Sequence, residues 1–320
     1  MFTQLGVIGC GLMGGSFALA LKRGALVRRV VGYSRSPSTM QQALRLGVID
    51  AIAESAPQAV AGSDIVLLAV PVAATETTLK AIRHLVEPGV LVMDVGSTKR
   101  DVVDAARRAL RERIGSFVPA HPIAGMEGSG VDHAHAGLYE GRHVILTPLP
   151  QTAAALLQKA AGAWSAIGAQ VLRMTPDAHD GTFAAVSHLP HLLAFAYFGG
   201  VLGQPAGREL LSQAGPGFRD FTRIAASDPA RWRDILLANR EEVLKQSQRF
   251  RQSLDALEEV MRAGNGAALH ELLRVASNGR RGWQMGSLVS NGPNNGNTNG
   301  TNGANSTSAH PDSARMPPSA

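Results

Sequence analysis

The chain has 320 residues, of which 45% are hydrophobic and 18% charged, and its formal net charge is +6. This length exceeds the usual single hydrophobic core, so we expect two domains. Apolar runs too short to cross a bilayer, and an N-terminus without a signal-peptide pattern, predict a soluble cytoplasmic protein with no membrane partner. The basic residues form no stripe interleaved with aromatic residues, which argues against nucleic-acid binding.

Potential metal ligands are few. Cys10 is the single cysteine, which excludes an intramolecular disulfide and a cysteine cage, and we expect it to be a small packing residue. The segment Asp132–His135 and the pair His188 and His191 contain metal-binding residue types, but no third ligand accompanies them at a recognised spacing. The sequence therefore predicts no metal site.

Short apolar runs alternate with helical stretches up to about residue 150. The runs have no polar face, as expected of strands that are buried on both sides. This alternation predicts an α/β fold with an N-terminal Rossmann-type domain, in which helices wrap both faces of a doubly wound parallel sheet. The predicted strands are Leu5–Ile8, Arg29–Tyr33, Ile65–Val70, Val90–Val95, Phe117–Ala120 and His143–Leu146.

Helices dominate beyond that point, with one more strand predicted at Gln170–Met174. The stretch Ala178–Leu202 is apolar almost all round, which predicts a helix buried against other helices. Asp228 and Pro229 are typical of a helix start, and the pattern predicts one helix that continues to Ala263.

Composition divides the chain into three parts. Residues 1–150 are predicted to form the Rossmann-type domain, and residues 151–278 a mainly α-helical domain large enough to build a subunit interface. Residues 279–320 are rich in Asn, Gly, Ser and Pro, and we expect them to be a disordered tail, because they cannot bury enough apolar surface to offset the entropy of ordering.

A glycine-rich turn follows the first predicted strand. Gly9, Gly11 and Gly14 have the spacing G-x-G-x-x-G, which permits a tight turn, admits a pyrophosphate to the backbone and lets the next helix pack closely. The amides at the helix N-terminus would face the phosphates. A purely structural turn is the alternative, but the predicted strand and helix on either side favour a dinucleotide site. The other predicted cofactor contacts are Leu12, Met13, Val70 and Pro71.

Two residues at the end of the second predicted strand bear on cofactor choice. Ser34 and Arg35 stand where a site that prefers NAD usually has an acidic residue for the ribose hydroxyls. Arginine pairs with a 2′-phosphate, so the sequence favours NADP and leaves NAD possible. The alternative is that Arg35 points to solvent.

Two polar residues follow later strands at their carboxyl ends, where ligands bind in open α/β sheets. Ser97 is expected to hydrogen-bond substrate or nicotinamide, to cap the next helix, or to do both. His121 precedes a glycine-rich loop. Because imidazole titrates near neutral pH, it suits removal of a hydroxyl proton while hydride leaves the same carbon.

The helical half adds histidines and arginines. His188 and His191 lie one turn apart on a predicted helix that Pro190 would kink, and they are either pocket residues or core histidines bound to backbone. Four arginines surround aromatic residues, and a guanidinium braced in this way suits a bidentate grip on a carboxylate. Some of them are expected to form salt bridges instead. They are Arg219, Arg223, Arg231 and Arg233.

Five segments, in this order, resemble the prephenate and arogenate dehydrogenases of tyrosine biosynthesis: the glycine turn, DVGSTK, HPIAGMEGSG, SHLPH and GFRDFTRIAASDPARWRDI. The resemblance spans about residues 5–280. It implies an NAD(P)-dependent oxidative decarboxylation, in which a histidine takes the hydroxyl proton of prephenate, hydride passes to the nicotinamide and the ring carboxylate leaves as carbon dioxide. It also implies a homodimer whose subunits complete each other's entrance.

The resemblance implies a role for particular residues. His121 becomes the base, Ser97 the group that orients it or the substrate hydroxyl, and Arg223 the main carboxylate anchor. His191 resembles members that use prephenate, whereas arogenate-specific members can have an apolar residue there. Prephenate is therefore the first expectation, with arogenate or dual use as the alternative. The other predicted pocket residues are Glu127, Asp220 and Trp232.

Two other classes of protein share part of this pattern. β-Hydroxyacid dehydrogenases have the same architecture but need a catalytic lysine on the long central helix, and His179–Gln204 contains none. A non-catalytic nucleotide sensor would keep the glycine turn but has no reason to combine His121 with Arg223. The sequence therefore favours the dehydrogenase.

Overall fold

The computed structural model describes residues 1–125 and 128–284. The chain forms two compact units, Met1–Gln252 and the part from Ser253 onward. Every residue of the candidate site described below belongs to the first unit.

A parallel sheet forms the centre of the first unit. Its strands are β1 (Phe2–Ile8), β2 (Val27–Tyr33), β3 (Ala51–Ile52), β4 (Ile65–Leu68), β5 (Leu91–Asp94) and β6 (Phe117–Val118). Their order is β3-β2-β1-β4-β5-β6, so the chain starts in the middle and winds outward in both directions. All paired neighbours are parallel. This confirms the predicted doubly wound sheet.

Helices cover both faces of this sheet and divide the core into two layers. Because side chains alternate along a strand, Ile65 and Leu67 of β4 face one hydrophobic core and Val66 and Leu68 face the other. The continuous apolar runs that predicted these strands are the result. The helices are α1 (Leu12–Arg23), α2 (Pro37–Arg45), α3 (Ala56–Val60), α4 (Thr75–Ile82), α5 (Arg100–Leu110) and α6 (Ala154–Ala166).

A smaller sheet lies beside the first. It contains β7 (Ala120–Pro122), β8 (His143–Leu146) and β9 (Gln170–Arg173), with β7 antiparallel and β9 parallel to β8. The single strand predicted over Phe117–Ala120 was wrong, because the chain leaves the first sheet at Pro119, which has no amide hydrogen for a ladder. The strand β9, which pairs with β8, lies beyond residue 150, where the sequence predicts the first domain to end.

Helices make up the rest of the described chain. They are α7 (Pro176–Phe183), α8 (Leu189–Leu202), α9 (Gly207–Ser212), α10 (Pro216–Thr222), α11 (Pro229–Ala238), α12 (Arg240–Arg262) and α13 (Gly266–Gly282). A π-helical turn over Ala184–His188 joins α7 to α8. Pro190 follows this turn and cannot donate to the carbonyl four residues earlier, which explains an irregularity at the place where the sequence predicted a kink.

The continuous helical run Pro176–Leu202 differs from prediction in two ways. By length and composition alone it is sufficient to cross a membrane, contrary to the expectation that no such run exists. Only 17% of its most apolar window is buried within the chain, so the predicted burial against other helices is wrong for a single copy. The run also holds the buried polar residues His179, Asp180 and His188, which are costly in a bilayer.

The long helix predicted from Asp228 to Ala263 is two helices. Its start is confirmed, since the Asp228 carboxylate accepts a hydrogen bond from the Arg231 amide at 2.6 Å. The break comes at Asn239, which is 3% exposed. Its side-chain amide donates to the backbone oxygen of Asp180 at 2.8 Å. This tertiary contact pins Asn239 against α7, and α12 begins with a new turn.

In the part from Ser253 onward, α13 begins at a cap in which the Asn265 side chain accepts from the Ala268 amide at 3.0 Å. The helix continues to Gly282, past residue 279, where the sequence predicts the tail to begin. Residues 285–320, the remainder of that predicted tail, lie outside the described residues.

Candidate active site

The glycine turn connects β1 to α1 as predicted. Gly9 has a φ of +99°, in the region that favours glycine. A Cβ atom on Gly14 would lie 2.1 Å from the Gly9 carbonyl oxygen, whereas one on Gly11 would meet nothing within 4 Å. Gly11 precedes α1 and makes no side-chain cap, so the first amides of this helix stay available. The turn therefore fits a pyrophosphate.

Two adjoining cavities extend from this turn. The first has a volume of about 580 Å³ and is lined by Ser34 and Arg35 beyond β2. The second has a volume of about 520 Å³ and is lined by Ser97 and Arg231. All nine predicted cofactor residues line one or both cavities; they are Gly9, Gly11, Leu12, Met13, Gly14, Ser34, Arg35, Val70 and Pro71.

Cys10 lies inside the glycine turn and is fully buried. Burial raises the pKa of its thiol to about 12, so the reactive thiolate is not formed near neutral pH. Its environment is that of a small packing residue.

His121, on β7, is linked to two side chains of α7. Its Nδ1 atom lies 2.8 Å from Nε2 of His179, and the Nδ1 atom of His179 lies 2.8 Å from the Asp180 carboxylate. The Phe183 ring packs against both imidazoles, with centroid separations of 4.9 Å to His121 and 4.5 Å to His179. The three polar groups therefore form one hydrogen-bonded row in an apolar setting.

Asp180 also caps the start of α5. Its carboxylate accepts from the backbone amide of Lys99 at 2.8 Å and from that of Arg100 at 2.9 Å. The expectation that Ser97 caps this helix was therefore wrong, because a carboxylate from α7 occupies that place. Ser97 lines the second cavity instead, and its backbone contacts His188.

Burial and the neighbouring groups keep the two imidazoles of the row uncharged. Burial lowers the pKa of His121 well below its ordinary value, and the nearby Lys99 ammonium group lowers it further. Burial lowers the pKa of His179 as well, although Asp180 opposes this. Burial raises the pKa of Asp180, but hydrogen bonds from His179 and the α5 amides outweigh it and lower that pKa overall. At neutral pH an ionised carboxylate therefore faces two uncharged imidazoles.

A buried ion pair holds the strand ends in place. Lys99 is completely buried, and its Nζ atom lies 2.5 Å from the Asp94 carboxylate and 2.8 Å from the Ala120 carbonyl oxygen. Asp94 in turn accepts from the Ala120 amide at 3.0 Å. Neither residue was predicted as part of the site, although Asp94 and Lys99 flank the glycine and serine in the motif DVGSTK. They fix the backbone immediately before His121.

The histidines of the SHLPH motif both pack beside the Trp232 ring. The His191 ring stacks on Trp232 at 3.5 Å between centroids, and its Nδ1 donates to the Ser187 carbonyl at 2.9 Å. Burial lowers the pKa of His191, and the charges of Arg231 and Arg223 lower it further. The charges of both arginines therefore act on the stacked pair.

The other predicted pocket residues are placed differently. Arg223 lines a separate cavity of about 440 Å³ with Phe198 and Phe218, while Arg231 lines the cleft that contains Ser97. Asp220 lies on the exposed side of α10, 3.3 Å from Arg219, so the single chain does not place it in the cleft as predicted. Glu127 lies outside the described residues.

Metal ligation is a further possibility at histidine-rich sites. Within residues 1–125 and 128–284, no three His, Cys, Asp or Glu side chains are grouped to hold a metal ion.

Comparison with known proteins identifies the family. Residues 17–173 match the family model for the nucleotide-binding domain of prephenate dehydrogenase, and residues 175–275 match the one for its dimerization domain. The chain belongs to the prephenate dehydrogenase family. The two matches meet directly after β9, the last strand of the second sheet.

Individual relatives cover most of the chain. The prephenate dehydrogenase of Bacillus subtilis is 36% identical over 86% of this chain and 74% of its own length. The cyclohexadienyl dehydrogenase of Zymomonas mobilis is 33% identical over 88% of this chain and 96% of its own length. A crystal structure of Aquifex aeolicus prephenate dehydrogenase, in complex with hydroxyphenyl propionate and NAD⁺, has a TM-score of 0.83 and 37% identity, over 88% of this chain and 98% of that chain.

Proposed function

We propose that this chain is a prephenate dehydrogenase that oxidises and decarboxylates prephenate in tyrosine biosynthesis, using a nicotinamide dinucleotide. The main observation behind the proposal is the uncharged His121 imidazole, which is linked through His179 to Asp180. These residues lie beyond the strand ends that the glycine turn and Ser97 also follow. Membership of the family supports it, as does the likeness to a structure that holds NAD⁺ and a hydroxyphenyl compound.

The residues divide the chemistry among them. His121 accepts the proton of the substrate hydroxyl, and Ser97 orients that hydroxyl from the wall of the cleft. Arg231 lines this cleft and Arg223 lines a separate cavity, and both supply positive charge that attracts the carboxylates of the substrate. When bound, the nicotinamide accepts hydride from the carbon that carries the hydroxyl.

Energetics explain why this set of residues suffices. Loss of carbon dioxide makes the ring aromatic, so the step is strongly downhill. The enzyme then has to supply position, a base and a site without water. The burial that keeps His121 uncharged also provides that dry surrounding.

Cofactor choice depends on the first cavity. Arg35 and Ser34 line it, and among residues 1–125 and 128–284 no acidic residue does, so a 2′-phosphate finds a cation and a hydroxyl there. NADP is therefore the favoured cofactor, with NAD as the alternative. The alternative has support of its own, since the Aquifex structure holds NAD⁺.

Two further parts of the proposal concern substrate and assembly. Prephenate is favoured over arogenate because His191 presents a polar ring to the arginines, while the cyclohexadienyl dehydrogenase of Zymomonas keeps dual use open. A homodimer is proposed because residues 175–275 match a dimerization domain and the apolar run Pro176–Leu202 is mostly uncovered in one copy. A cytoplasmic location and the absence of nucleic-acid partners stay predictions from sequence.

Steady-state assays of reduced-cofactor formation test the proposal. Prephenate and arogenate are each assayed with NADP⁺ and NAD⁺, for the wild type and for His121→Asn. The variant should lose about 10²- to 10⁴-fold in kcat with little change in KM, since it removes the base alone. His270→Asn, an exposed residue of α13, is the matched control and should keep full activity. A wild type that turns over neither substrate, or a variant with near-normal kcat, contradicts the proposal.

A further inference from the structure

The row of hydrogen bonds behind His121 has a function that its burial alone does not explain. We propose that His179 and Asp180 are positioning residues that fix His121 in the tautomer with a free Nε2 lone pair, and that His179 takes up a proton from Nδ1 when that lone pair is used. This inference rests on the proposed function, because it assigns roles relative to His121 as the base.

Hydrogen-bond directions along the row leave one arrangement. The ionised Asp180 carboxylate only accepts, and it already takes amide hydrogens from Lys99 and Arg100. Nδ1 of His179 must therefore donate to it, which leaves Nε2 of the uncharged His179 as an acceptor. That acceptor lies 2.8 Å from Nδ1 of His121, so this nitrogen carries the hydrogen. The lone pair of His121 is then on Nε2, the atom that points away from the row.

Surrounding groups hold the carboxylate in its ionised form. Besides the two amides, the Arg100 guanidinium lies 3.7 Å from Asp180, and the same guanidinium binds Glu242 at 2.8 Å and Asp177 at 3.1 Å. Asp180 is 1% exposed and His179 is fully buried, so water does not compete for their hydrogen bonds. The direction of the row is thereby fixed from its Asp180 end.

The row also provides a site for the positive charge that forms when His121 takes the substrate proton. As the substrate O–H bond breaks, an N–H bond forms at Nε2 of His121; its Nδ1–H bond breaks and an N–H bond forms at Nε2 of His179. His121 ends uncharged in the other tautomer, and the imidazolium is His179, directly beside the Asp180 carboxylate. A positive charge on His179, beside the Asp180 carboxylate, costs less free energy than one on His121, which packs against Phe183 and has no carboxylate beside it.

A purely structural role makes a different prediction. If Asp180 only caps α5, then asparagine keeps an oxygen for one of the two amides and His121 keeps its tautomer. If Asp180 fixes the tautomer, asparagine reverses it: its oxygen accepts from the Arg100 amide, and its NH₂ group takes the place of Oδ1, where it donates to Nδ1 of His179 and the Lys99 amide loses its acceptor. His179 then carries its hydrogen on Nε2, and His121 must accept at Nδ1 and carry its own hydrogen on Nε2. Such a reversed histidine no longer acts as a base towards the substrate.

The test combines kinetics with imidazole ¹H–¹⁵N spectra of the full chain without cofactor. In Asp180→Asn, the pyridine-type nitrogen of His121 should move from Nε2 to Nδ1, kcat should fall about 10²- to 10⁴-fold and KM for prephenate should change less than about 3-fold. The control is Asp177→Asn, in the same helix, whose side chain is 81% exposed and also pairs with Arg100; it should behave as wild type. An unchanged His121 tautomer in Asp180→Asn, or an equal loss in the control, overturns the inference.

Two substitutions of His179 keep the test decisive if Asp180→Asn does not fold. Glutamine can still accept from Nδ1 of His121 but cannot take up a proton, whereas leucine can do neither. The order of kcat should be wild type, His179→Gln, His179→Leu, with about 10-fold or more between the two variants. Equal kcat in the two variants overturns the inference. By contrast, a wild type inactive on prephenate, or an active His121→Asn, shows that the proposed function has failed, and the spectra still report the tautomer.

Discussion

Replacing Gly11 by alanine should separate dinucleotide binding from folding. Gly11 has φ −83° and ψ −160°, which any L-residue adopts. Its new Cβ atom would meet nothing within 4 Å, so the free energy of unfolding should stay within about 0.5 kcal/mol of wild type. The methyl group would nevertheless occupy the open space in front of the first amides of α1, where the pyrophosphate is expected.

The size of the binding loss follows from the contacts that the methyl group blocks. A hydrogen bond from a backbone amide to a charged group contributes about 1.5–3 kcal/mol, and the turn offers at least two such amides. Losing two corresponds to about 3 kcal/mol or more, or a Kd raised by about 100-fold or more. Fluorescence titration with NADPH and NADH measures the Kd, and thermal unfolding of the same samples measures stability.

Gly14→Ala is the contrasting variant. Its Cβ atom would lie 2.1 Å from the Gly9 carbonyl oxygen and 3.0 Å from the side chains of Ala69 and Val7. Backbone cannot yield at that distance, so both stability and cofactor affinity should fall, with about 1–3 kcal/mol of stability lost to overpacking. Gly162→Ala, with nothing near its added Cβ, is the control for both. Wild-type affinity in Gly11→Ala would refute the assignment of the turn to the phosphates, and equal destabilisation of the Gly11 and Gly14 variants would refute the contact reasoning.

Two other outcomes concern cofactor choice and pH. Arg35→Asp should shift the ratio of kcat/KM values from NADP⁺ toward NAD⁺, because a carboxylate repels a 2′-phosphate and accepts from ribose hydroxyls; an unchanged ratio contradicts the contact. Burial lowers the pKa of His188 from 6.5 to about 4 in the folded chain. As pH falls from 6.5 towards 4, the His188 imidazole is therefore protonated in the unfolded chain but not in the folded one. The free energy of unfolding falls across that pH range. His188→Gln should therefore lose about 3 kcal/mol less than wild type between pH 7 and pH 4 in urea unfolding; equal losses would show that His188 is not held uncharged.

The parallel sheet was predictable because each of its buried strands carries its own signal. Continuous apolar runs such as the one in β4 arise when both faces of a strand are covered. The two-residue strand β3 is too short to show a pattern, and the division of β6 from β7 at Pro119 is a tertiary effect. The break at Asn239 is likewise set by a contact with Asp180, 59 residues away in sequence, which no local propensity encodes.

The site was predictable to the extent that its residues lie in short local motifs. The glycine turn and His121 follow strand ends, where the fold itself points to ligands. His179 and Asp180 were missed because they lie 58 residues or more from His121 and in an apolar run that predicts only packing. One signal was available: two adjacent polar residues in a stretch predicted to be buried require partners. The exposed positions of Arg223 and Asp220 were not predictable. A shift of one helical turn decides whether a side chain faces the cleft, another cavity or solvent.

Lys99 connects the two ends of the His121 row, and this explains why the chain keeps a fully buried charge. Its ammonium group binds the Ala120 carbonyl, next to His121, while its backbone amide binds Asp180. One residue thus sets the position of both the first and the last group in the row. A buried ion pair such as Lys99 with Asp94 seldom stabilises a fold more than apolar side chains would, because both charges must leave water. Its value here is geometric: an apolar residue at position 99 could fill the same volume but could not hold the Ala120 carbonyl, and the spacing of 2.8 Å between the two imidazoles depends on where that backbone lies.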